Sequence, residues 1–246
     1  RRHFEANGLQ DFRAVDFEYL GSEHSYGPHA NSSARITREI VAKFGLHHDD
    51  PAALQFAANE MMYLGTSGAP GMYGLGGGRP RPSGLIQIHS ALLDKSLVPV
   101  IVQLGDSILS EKTYTTEQSA TTPKCHIDVD DLDVKDDWVE VSLETLAYAR
   151  SGDKGNNANV GVIARDSRYL PYIHSQLTAQ VVDDYFAHLV TGDVERFELP
   201  GFDAFNFFMT EALGGGGTAS VRADAQGKSL AQQLLSLPIK VPANLL

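Results

Sequence analysis

The sequence predicts a mixed α/β (α+β) protein made of two small sandwich segments. Strand-like and helical patterns alternate along most of the 246 residues, which is typical of sheets with helices packed on one face. A polar, acidic stretch at 106–137 divides these patterns into two groups. The apolar content of 42% is ordinary for a globular protein, and a chain of this length can bury a core without disulfides. We therefore predict segments at 1–105 and 138–246, joined by an acidic linker.

The first segment is predicted to combine strands with one well-marked helix. The helix lies within the segment 47–65, where Asp49 or Asp50 can cap the N-terminus, Pro51 suits the first turn and Gly65 suits the position after the C-terminus. Apolar residues also recur there at helical spacing. Runs rich in β-branched and aromatic residues are expected to form strands. These runs are 12–21, 34–46 and one or two within 84–104.

The stretch 106–137 is acidic and shows little periodicity, so we expect an extended or partly disordered linker. Its run DVDDLDVKDD (128–137) resembles a calcium loop in composition only, because it lacks the central Gly and the final Glu of an EF-hand. His47 and His48 are adjacent and point in different directions, which makes them poor partners for one ion. We expect no metal and no cofactor.

The second segment has the more regular pattern. Strands are predicted at 138–150, 158–165, 194–200 and 218–224. Helices are predicted at 167–190, 201–214 and 227–238. Asp203 is the expected N-cap of the middle helix and Gly214 its C-cap. The resulting order ββαβαβα favours a ferredoxin-like sandwich with its helices on one face.

Composition and charge limit the function classes. A net charge of −11 argues against a broad nucleic-acid-binding face and against binding to anionic membranes. Cys125 is the single cysteine, so no disulfide forms within the chain. There is no signal-peptide pattern and no run of about 20 apolar residues that could span a bilayer. We therefore expect a cytoplasmic protein. The chain opens on RRHFEANG without Met, so we also expect it to be a piece of a longer protein.

The motif SGDKGNNAN (151–159) concentrates small and polar residues between two apolar runs. Glycines allow positive φ values that turn amide groups toward an anion; Lys154 adds a positive charge, and Asp153 is a candidate acid or base. The alternative is a tight hairpin turn, because Gly, Asn and Asp are also frequent turn residues. Both interpretations stay open. The candidate ligand-binding residues are Ser151, Gly152, Gly155, Asn156, Asn157 and Asn159.

A second glycine-rich loop follows about 60 residues later. It contains Gly214, Gly215, Gly216 and Gly217. Four glycines exceed what a helix C-cap needs, which suggests close approach of a ligand to the backbone; a flexible connection is the alternative. The loop matches neither the G-x-G-x-x-G fingerprint nor a P-loop. In the first segment, Arg79 and Arg81 could bind a carboxylate, although a solvated loop is favoured there.

These motifs resemble one family. "YARSGDKGNNANVGVIAR", "FELPGFDAFNFFMTEALGGGGTASVRADAQGK" and "IKVP" are similar to the C-terminal region of the acyclic terpene utilisation (AtuA) family, whose last part is a ferredoxin-fold domain. The match is close over 141–242, and 1–105 resembles the later part of the main domain more loosely. The resemblance implies a lyase of acyclic terpenoid or branched acyl catabolism. Such an enzyme would cleave a 3-hydroxy-3-alkylglutaryl thioester and release acetate.

That cleavage needs a base for the hydroxyl proton and a stabiliser for the developing enolate. We predict Asp153 as the base, Lys154 as its electrostatic partner, and the amides of the four glycines as the site for a carboxylate or enolate oxygen. The expected partner is a small acyl thioester or carboxylate, and we expect a homo-oligomer. Two alternatives stay open: a non-catalytic oligomerisation or ligand-binding module, and an acyl-thioester hydrolase or hydratase.

Overall fold

A computed structural model describes residues 2–74, 78–112, 132, 138–199 and 201–246. It divides into two compact units. The larger unit contains Arg1–Gln87 and Val129–Leu246, and the smaller contains Ile88–Asp128. No helix in the described ranges is both long enough and apolar enough to cross a membrane. The cytoplasmic localisation stays a prediction.

The N-terminal part of the larger unit pairs two strands and follows them with a helix. Its elements are α1 (Arg2–Ala6), β1 (Ala14–Leu20), β2 (Val41–His47), α2 (Pro51–Met61) and α3 (Leu64–Ser67). The two strands are antiparallel, and Phe17 of β1 lies opposite Phe44 of β2. Helix α2 begins as predicted, because the Asp50 side chain accepts a hydrogen bond from the amide of Ala52 and Pro51 opens the helix. The predicted strand at 34–46 begins only at Val41.

The smaller unit contains an antiparallel pair of strands, β3 (Val100–Leu104) and β4 (Ser107–Lys112). A two-residue turn joins them, with Gly105 at φ +58°. The predicted extended or partly disordered linker therefore begins with a paired strand, β4. The sequence signal was present, because Gly-Asp between two apolar runs is typical of a hairpin. The rest of the predicted linker, apart from Leu132, lies outside the described residues, as does Cys125.

The C-terminal part of the larger unit is mixed α/β, as predicted, with small antiparallel sheets. Its elements are β5 (Trp138–Ser142), α4 (Leu143–Leu146), β6 (Ala147–Lys154), β7 (Asn157–Ala164), α5 (Leu170–Gln176), α6 (Ala179–Phe186), β8 (Val194–Leu199), β9 (Ala204–Met209), α7 (Leu230–Leu234) and β10 (Pro238–Pro242). Four strands form one sheet in the order β6-β7-β9-β8, and β10 pairs with β5 in a second.

The predicted helix at 201–214 is wrong, because this segment contains β9. Asp203 is not a helix cap but occupies the turn before the strand, with φ +50°. Phe205, Phe207 and Met209 are buried while Asn206 between them is not, which is the period-2 alternation of a half-buried strand. Aromatic enrichment in AFNFFM also favoured a strand over a helix.

Three further element predictions need correction. The predicted strand at 138–150 is interrupted by α4, and its two parts join different sheets. The predicted strand at 218–224 is a series of turns, because its backbone groups bond to side chains: Lys43 donates to the Val221 carbonyl, and Glu18 accepts from the Ala223 amide. The helix predicted at 227–238 is limited to α7, and β10 follows it. The order ββαβαβα is thus replaced by β-α-ββ-αα-ββ-α-β.

The main core of this part lies on one face of the four-stranded sheet. Helix α6 packs against β8, and α7 packs against β6 and β7. The buried sheet residues include Val160, Val162, Phe205, Phe207 and Met209. On the opposite face Tyr148, Ile163 and Phe197 remain partly exposed. The position of the core therefore decides which side chains of the SGDKGNNAN motif point toward the helices and which point toward the opposite face of the sheet.

Candidate functional site

The SGDKGNNAN motif forms a hairpin with a two-residue turn. Lys154 at the end of β6 pairs with Asn157 at the start of β7, and Gly155 takes φ +69° in the turn between them. Glycine adopts a positive φ readily, whereas a residue with a side chain adopts it only at a cost in free energy. The remaining polar residues of the motif lie within the strands. The hairpin interpretation is therefore correct for the turn itself, but it leaves the in-strand residues to be explained.

Strand alternation sends Asp153 and Lys154 to opposite faces of the sheet. Asp153 pairs with the buried Ala158, so it belongs to the face that the helices cover. Lys154 is exposed, and its Nζ donates to the carbonyl oxygen of Asp153 at 3.1 Å. The two predicted catalytic residues are therefore neighbours in sequence, but their side chains leave the strand in different directions.

Ser151 connects the hairpin to the segment that precedes α7. It is buried, and its Oγ donates to the Gly227 carbonyl at 2.6 Å while accepting from the Ala231 amide at 3.0 Å. The same Oγ lies 3.2 Å from the Lys228 carbonyl oxygen. Ser151 thus acts as a structural link that sets the position of residues 227–231 beside β6.

Two asparagines of the motif hold the glycine-rich loop in place. Asn156 accepts through Oδ1 from the Gly215 amide at 2.7 Å, and its carbonyl accepts from the amides of Ala212 and Leu213. Asn157 accepts through Oδ1 from the Glu211 amide at 3.1 Å. These contacts explain why the hairpin carries more hydrogen-bonding groups than a turn requires. The third asparagine, Asn159, donates to Asn206 on the adjacent β9.

The glycine-rich loop lies against the hairpin, so the structure brings together the two loops that the sequence singled out. Gly214, Gly215 and Gly216 have φ values of +61°, +113° and +86°. A Cβ on Gly216 would lie 2.6 Å from the carbonyl oxygen of Gly155, a distance that forbids any side chain there. In the part of the chain that the structure describes, the amides of Gly214, Gly216 and Gly217 donate no hydrogen bond.

Asp153 faces the end of this loop. A Cβ on Gly217 would lie 3.8 Å from Asp153 Oδ2, and Lys228 Nζ lies 3.8 Å from Asp153 Oδ1. Asp224 holds the backbone at Lys228 in place, because its carboxylate accepts hydrogen bonds from the amides of Lys228 and Ser229 at 2.8 and 2.7 Å. Among the described residues, the cation that pairs with the Asp153 carboxylate is thus Lys228, which the sequence did not single out.

We call Asp153, Lys228 and the amides of Gly216 and Gly217 the glycine-loop site. The Asp153 and Lys228 side chains are 39% and 60% exposed, so their ion pair alone adds little to stability. Exposure also leaves both groups open to a ligand. The site places a carboxylate that can accept a proton and an exposed cation next to a loop with two amides that donate no hydrogen bond among the described residues. Within DAQGKS, Asp224 and Gly227 are typical turn residues, but nothing in this local pattern singles out the side chain of Lys228.

A groove of about 870 Å³ borders the C-terminal end of the glycine-rich loop. Thr218, which directly follows Gly217, lines it, and so does Arg81, for which carboxylate binding was the less favoured of two interpretations. Its apolar wall comes from β2, α2 and the segment before Gln87, and includes Phe44, Leu54, Met61 and Leu85. This volume lies within the range of small-molecule sites, which is about 300–1,000 Å³. The groove is therefore large enough to hold an apolar chain next to Thr218.

The His47–Asp50 run serves the entry of α2. His48 Nε2 lies 3.0 Å from the Gln10 carbonyl and its Nδ1 accepts from the Asp50 amide, while Asp49 pairs with Arg13. These contacts agree with the predicted helix entry. Across the described residues, no group of three or more His, Cys, Asp or Glu side chains is arranged to hold a metal ion.

The second half of the chain contains a four-stranded sheet with helices packed on one face, which is the arrangement of a ferredoxin-like domain. Residues 141–240 match the family model of the AtuA ferredoxin-like domain, and residues 1–104 match that of the acyclic terpene utilisation family protein AtuA. The chain therefore belongs to the AtuA family, as its motifs indicated. Comparison with curated proteins and with solved structures gave no match.

Proposed function

We propose that this protein is a carbon–carbon lyase of acyclic terpenoid catabolism, acting on a 3-hydroxy-3-alkylglutaryl thioester and releasing acetate. The family's description supports the link to acyclic terpene utilisation. The observation that carries the reaction type is the position of the Asp153 carboxylate beside the unpaired amides of the glycine-rich loop. A base next to oxyanion donors is the combination that such a cleavage requires.

The reaction begins with removal of the proton from the tertiary hydroxyl group. The oxygen then forms a carbonyl, and the bond between the tertiary carbon and the carboxymethyl carbon breaks. The electron pair of that bond passes to the carboxymethyl group as an enediolate, which takes up one proton to become acetate. The other product is a 3-oxoacyl thioester. Atoms and electrons balance without an added oxidant or reductant.

Asp153 is the group that accepts the hydroxyl proton in this proposal. The amides of Gly216 and Gly217 donate to the carboxylate oxygens, where negative charge grows as the bond breaks. Lys228, with its Nζ 3.8 Å from Asp153 Oδ1, supplies the neighbouring positive charge. The sequence had suggested Lys154 for this role. Because its side chain leaves β6 on the opposite face of the sheet, its charge lies farther from the Asp153 carboxylate than that of Lys228. Water exclusion by the bound acyl chain would strengthen each of these interactions.

The substrate's branched alkyl chain suits the groove beside Thr218. A chain of prenyl type is apolar and needs an apolar wall, which Leu54, Met61 and Leu85 provide. Arg81 on the same groove could pair with a phosphate or carboxylate of the thioester carrier. These features support a substrate with one apolar arm and one anionic arm. The acyl-thioester partner and the homo-oligomer stay predictions.

Product analysis tests the proposal. The protein is incubated with a 3-hydroxy-3-alkylglutaryl thioester of coenzyme A, and products are separated by mass. We expect acetate and a 3-oxoacyl thioester in equal amounts. Free thiol with an intact carbon skeleton would identify a hydrolase, and loss of water to an unsaturated thioester would identify a hydratase. Either result would overturn the lyase assignment.

A further inference from the structure

Three buried polar atoms without partners converge on one cavity of the larger unit. Among the described residues, the buried side-chain atoms that make no hydrogen bond are Asp16 Oδ2, His188 Nδ1 and Gln233 Oε1. All three residues line a cavity of about 170 Å³ that is separate from the glycine-loop site. Buried polar atoms are nearly always paired, because leaving one unpaired costs free energy. Their convergence on one cavity indicates that the missing partner belongs inside it.

All three unpaired atoms are hydrogen-bond acceptors. His188 Nε2 lies 2.9 Å from the carbonyl oxygen of Ser25, which can only accept, so Nε2 donates there and Nδ1 is the acceptor nitrogen of this tautomer. Gln233 Nε2 donates to Ser229 Oγ at 2.9 Å, which leaves Oε1 as the free end of the amide. Asp16 adds a carboxylate oxygen. Gln233 is only 1% exposed, so no described protein group and no bulk solvent reaches its Oε1.

The charges around the cavity favour a cation. Asp16, Glu18 and Asp224 contribute carboxylates to its lining, and Arg222 contributes a guanidinium group. Glu18 is already paired, because Lys43 Nζ lies 2.7 Å from its Oε2. Nη1 of Arg222 is occupied by the carbonyl oxygens of Leu189 and Ala212. Two carboxylates therefore face one guanidinium, and the cavity retains an excess of negative charge.

We propose that this cavity binds a small ligand through a primary ammonium group. An ammonium group presents three N–H donors, and the cavity presents three unpaired acceptors. The volume equals that of about five or six water molecules at roughly 30 Å³ each, which suits a ligand of a few heavy atoms. Such a ligand could be a simple alkylamine or a small amino acid whose carboxylate reaches Arg222.

The three residues with unpaired atoms come from elements that are far apart in the sequence. Asp16 lies on β1, His188 follows α6, and Gln233 lies in α7. A ligand that pairs with all three would hold the N-terminal strands and the C-terminal helices together. Binding is therefore expected to stabilise the folded state, since a ligand that binds only the native protein raises its stability.

Thermal unfolding with defined probes tests the proposal. The protein is titrated with ethylammonium chloride, with glycine, and with tetramethylammonium chloride at equal ionic strength. Tetramethylammonium has the same charge but no N–H donor. We expect ethylammonium to raise the Tm in a saturable manner and tetramethylammonium to leave it unchanged. A larger effect of glycine would show that Arg222 also binds a carboxylate, and a smaller one would limit the ligand to amines; both retain the ammonium site.

Two variants check the assignment of the site. Gln233→Met removes the acceptor while keeping the side-chain length, and Gln180→Met makes the same change at an exposed position of α6. We expect Gln233→Met to weaken ethylammonium binding by about tenfold or more, and Gln180→Met to leave it unchanged. Asp16→Asn provides the second test if Gln233→Met does not fold. Equal responses to ethylammonium and tetramethylammonium, or unchanged affinity in both cavity variants, would overturn the proposal and leave a water-filled cavity.

Discussion

Gly216→Ala tests the contact between the glycine-rich loop and the hairpin. Gly216 has φ +86°, and a Cβ there would lie 2.6 Å from the Gly155 carbonyl oxygen and 2.9 Å from its carbon. Both atoms belong to the backbone, so they cannot rotate away as a flexible side chain would. The substitution must therefore shift the loop away from Asp153 or distort the turn between β6 and β7.

Gly201→Ala is the matched control. Gly201 has φ +77°, but nothing lies within 4 Å of a Cβ at this position. Ala in a left-handed conformation costs about 1 to 2 kcal/mol, and that cost applies to both variants. Crowding in a packed site adds about 1 to 3 kcal/mol, and it applies only at Gly216. We therefore expect the free energy of unfolding to fall by about 1 to 2 kcal/mol for Gly201→Ala and by about 2 to 5 kcal/mol for Gly216→Ala.

Urea unfolding followed by circular dichroism gives both values from the midpoints, provided that the slopes agree between variants. Equal losses in the two variants would mean that the glycine-rich loop does not touch the hairpin. The glycine-loop site would then lack its defining geometry.

Further predictions address the neighbouring contacts. Ser151→Ala should lower the free energy of unfolding by about 1 to 3 kcal/mol, because it leaves the buried Ala231 amide unpaired. The same change at the exposed Ser175 should alter the free energy of unfolding by less than about 0.5 kcal/mol. Equal urea midpoints for the two variants would contradict this prediction. Burial, with Glu18 nearby, raises the pKa of Asp16, so its ionisation opposes folding as the pH rises through that pKa. Asp16→Asn should therefore raise the Tm at pH 7 and lose this advantage below about pH 4, and a gain independent of pH would refute the argument. Lys228→Met should reduce acetate release more than Lys154→Met does; the reverse order in steady-state assays would favour the sequence-based choice of Lys154.

The parts of the fold that could be predicted are those set by local chemistry. Asp50 and Pro51 mark the start of α2 because capping and a fixed φ act within one turn. The turn at Gly155 could likewise be predicted from its own residues. The AFNFFM segment was misassigned because Asp203 and Gly214 looked like helix caps, whereas the alternation that makes β9 depends on its burial between β7 and β8.

The candidate site shows the same division. The sequence identified both loops and Asp153, since their composition is unusual for simple connections. It could not identify Lys228, because the position of this residue follows from hydrogen bonds between Ser151 and the backbone of residues 227–231, about 80 positions along the chain. The cavity lined by Asp16, His188 and Gln233 could not be predicted from the sequence either, since Asp16 and Gln233 come together only through tertiary packing.

The central claim is that Asp153 is the base of a carbon–carbon lyase. The direct measurement is kcat/KM for acetate release by Asp153→Asn, compared with Glu195→Gln, an equivalent change at an exposed position on β8. We predict that Asp153→Asn loses about 10²- to 10⁴-fold in kcat/KM, as expected when a general base is removed, while Glu195→Gln keeps the parent rate. An Asp153→Asn variant that releases acetate as fast as the parent would contradict the account.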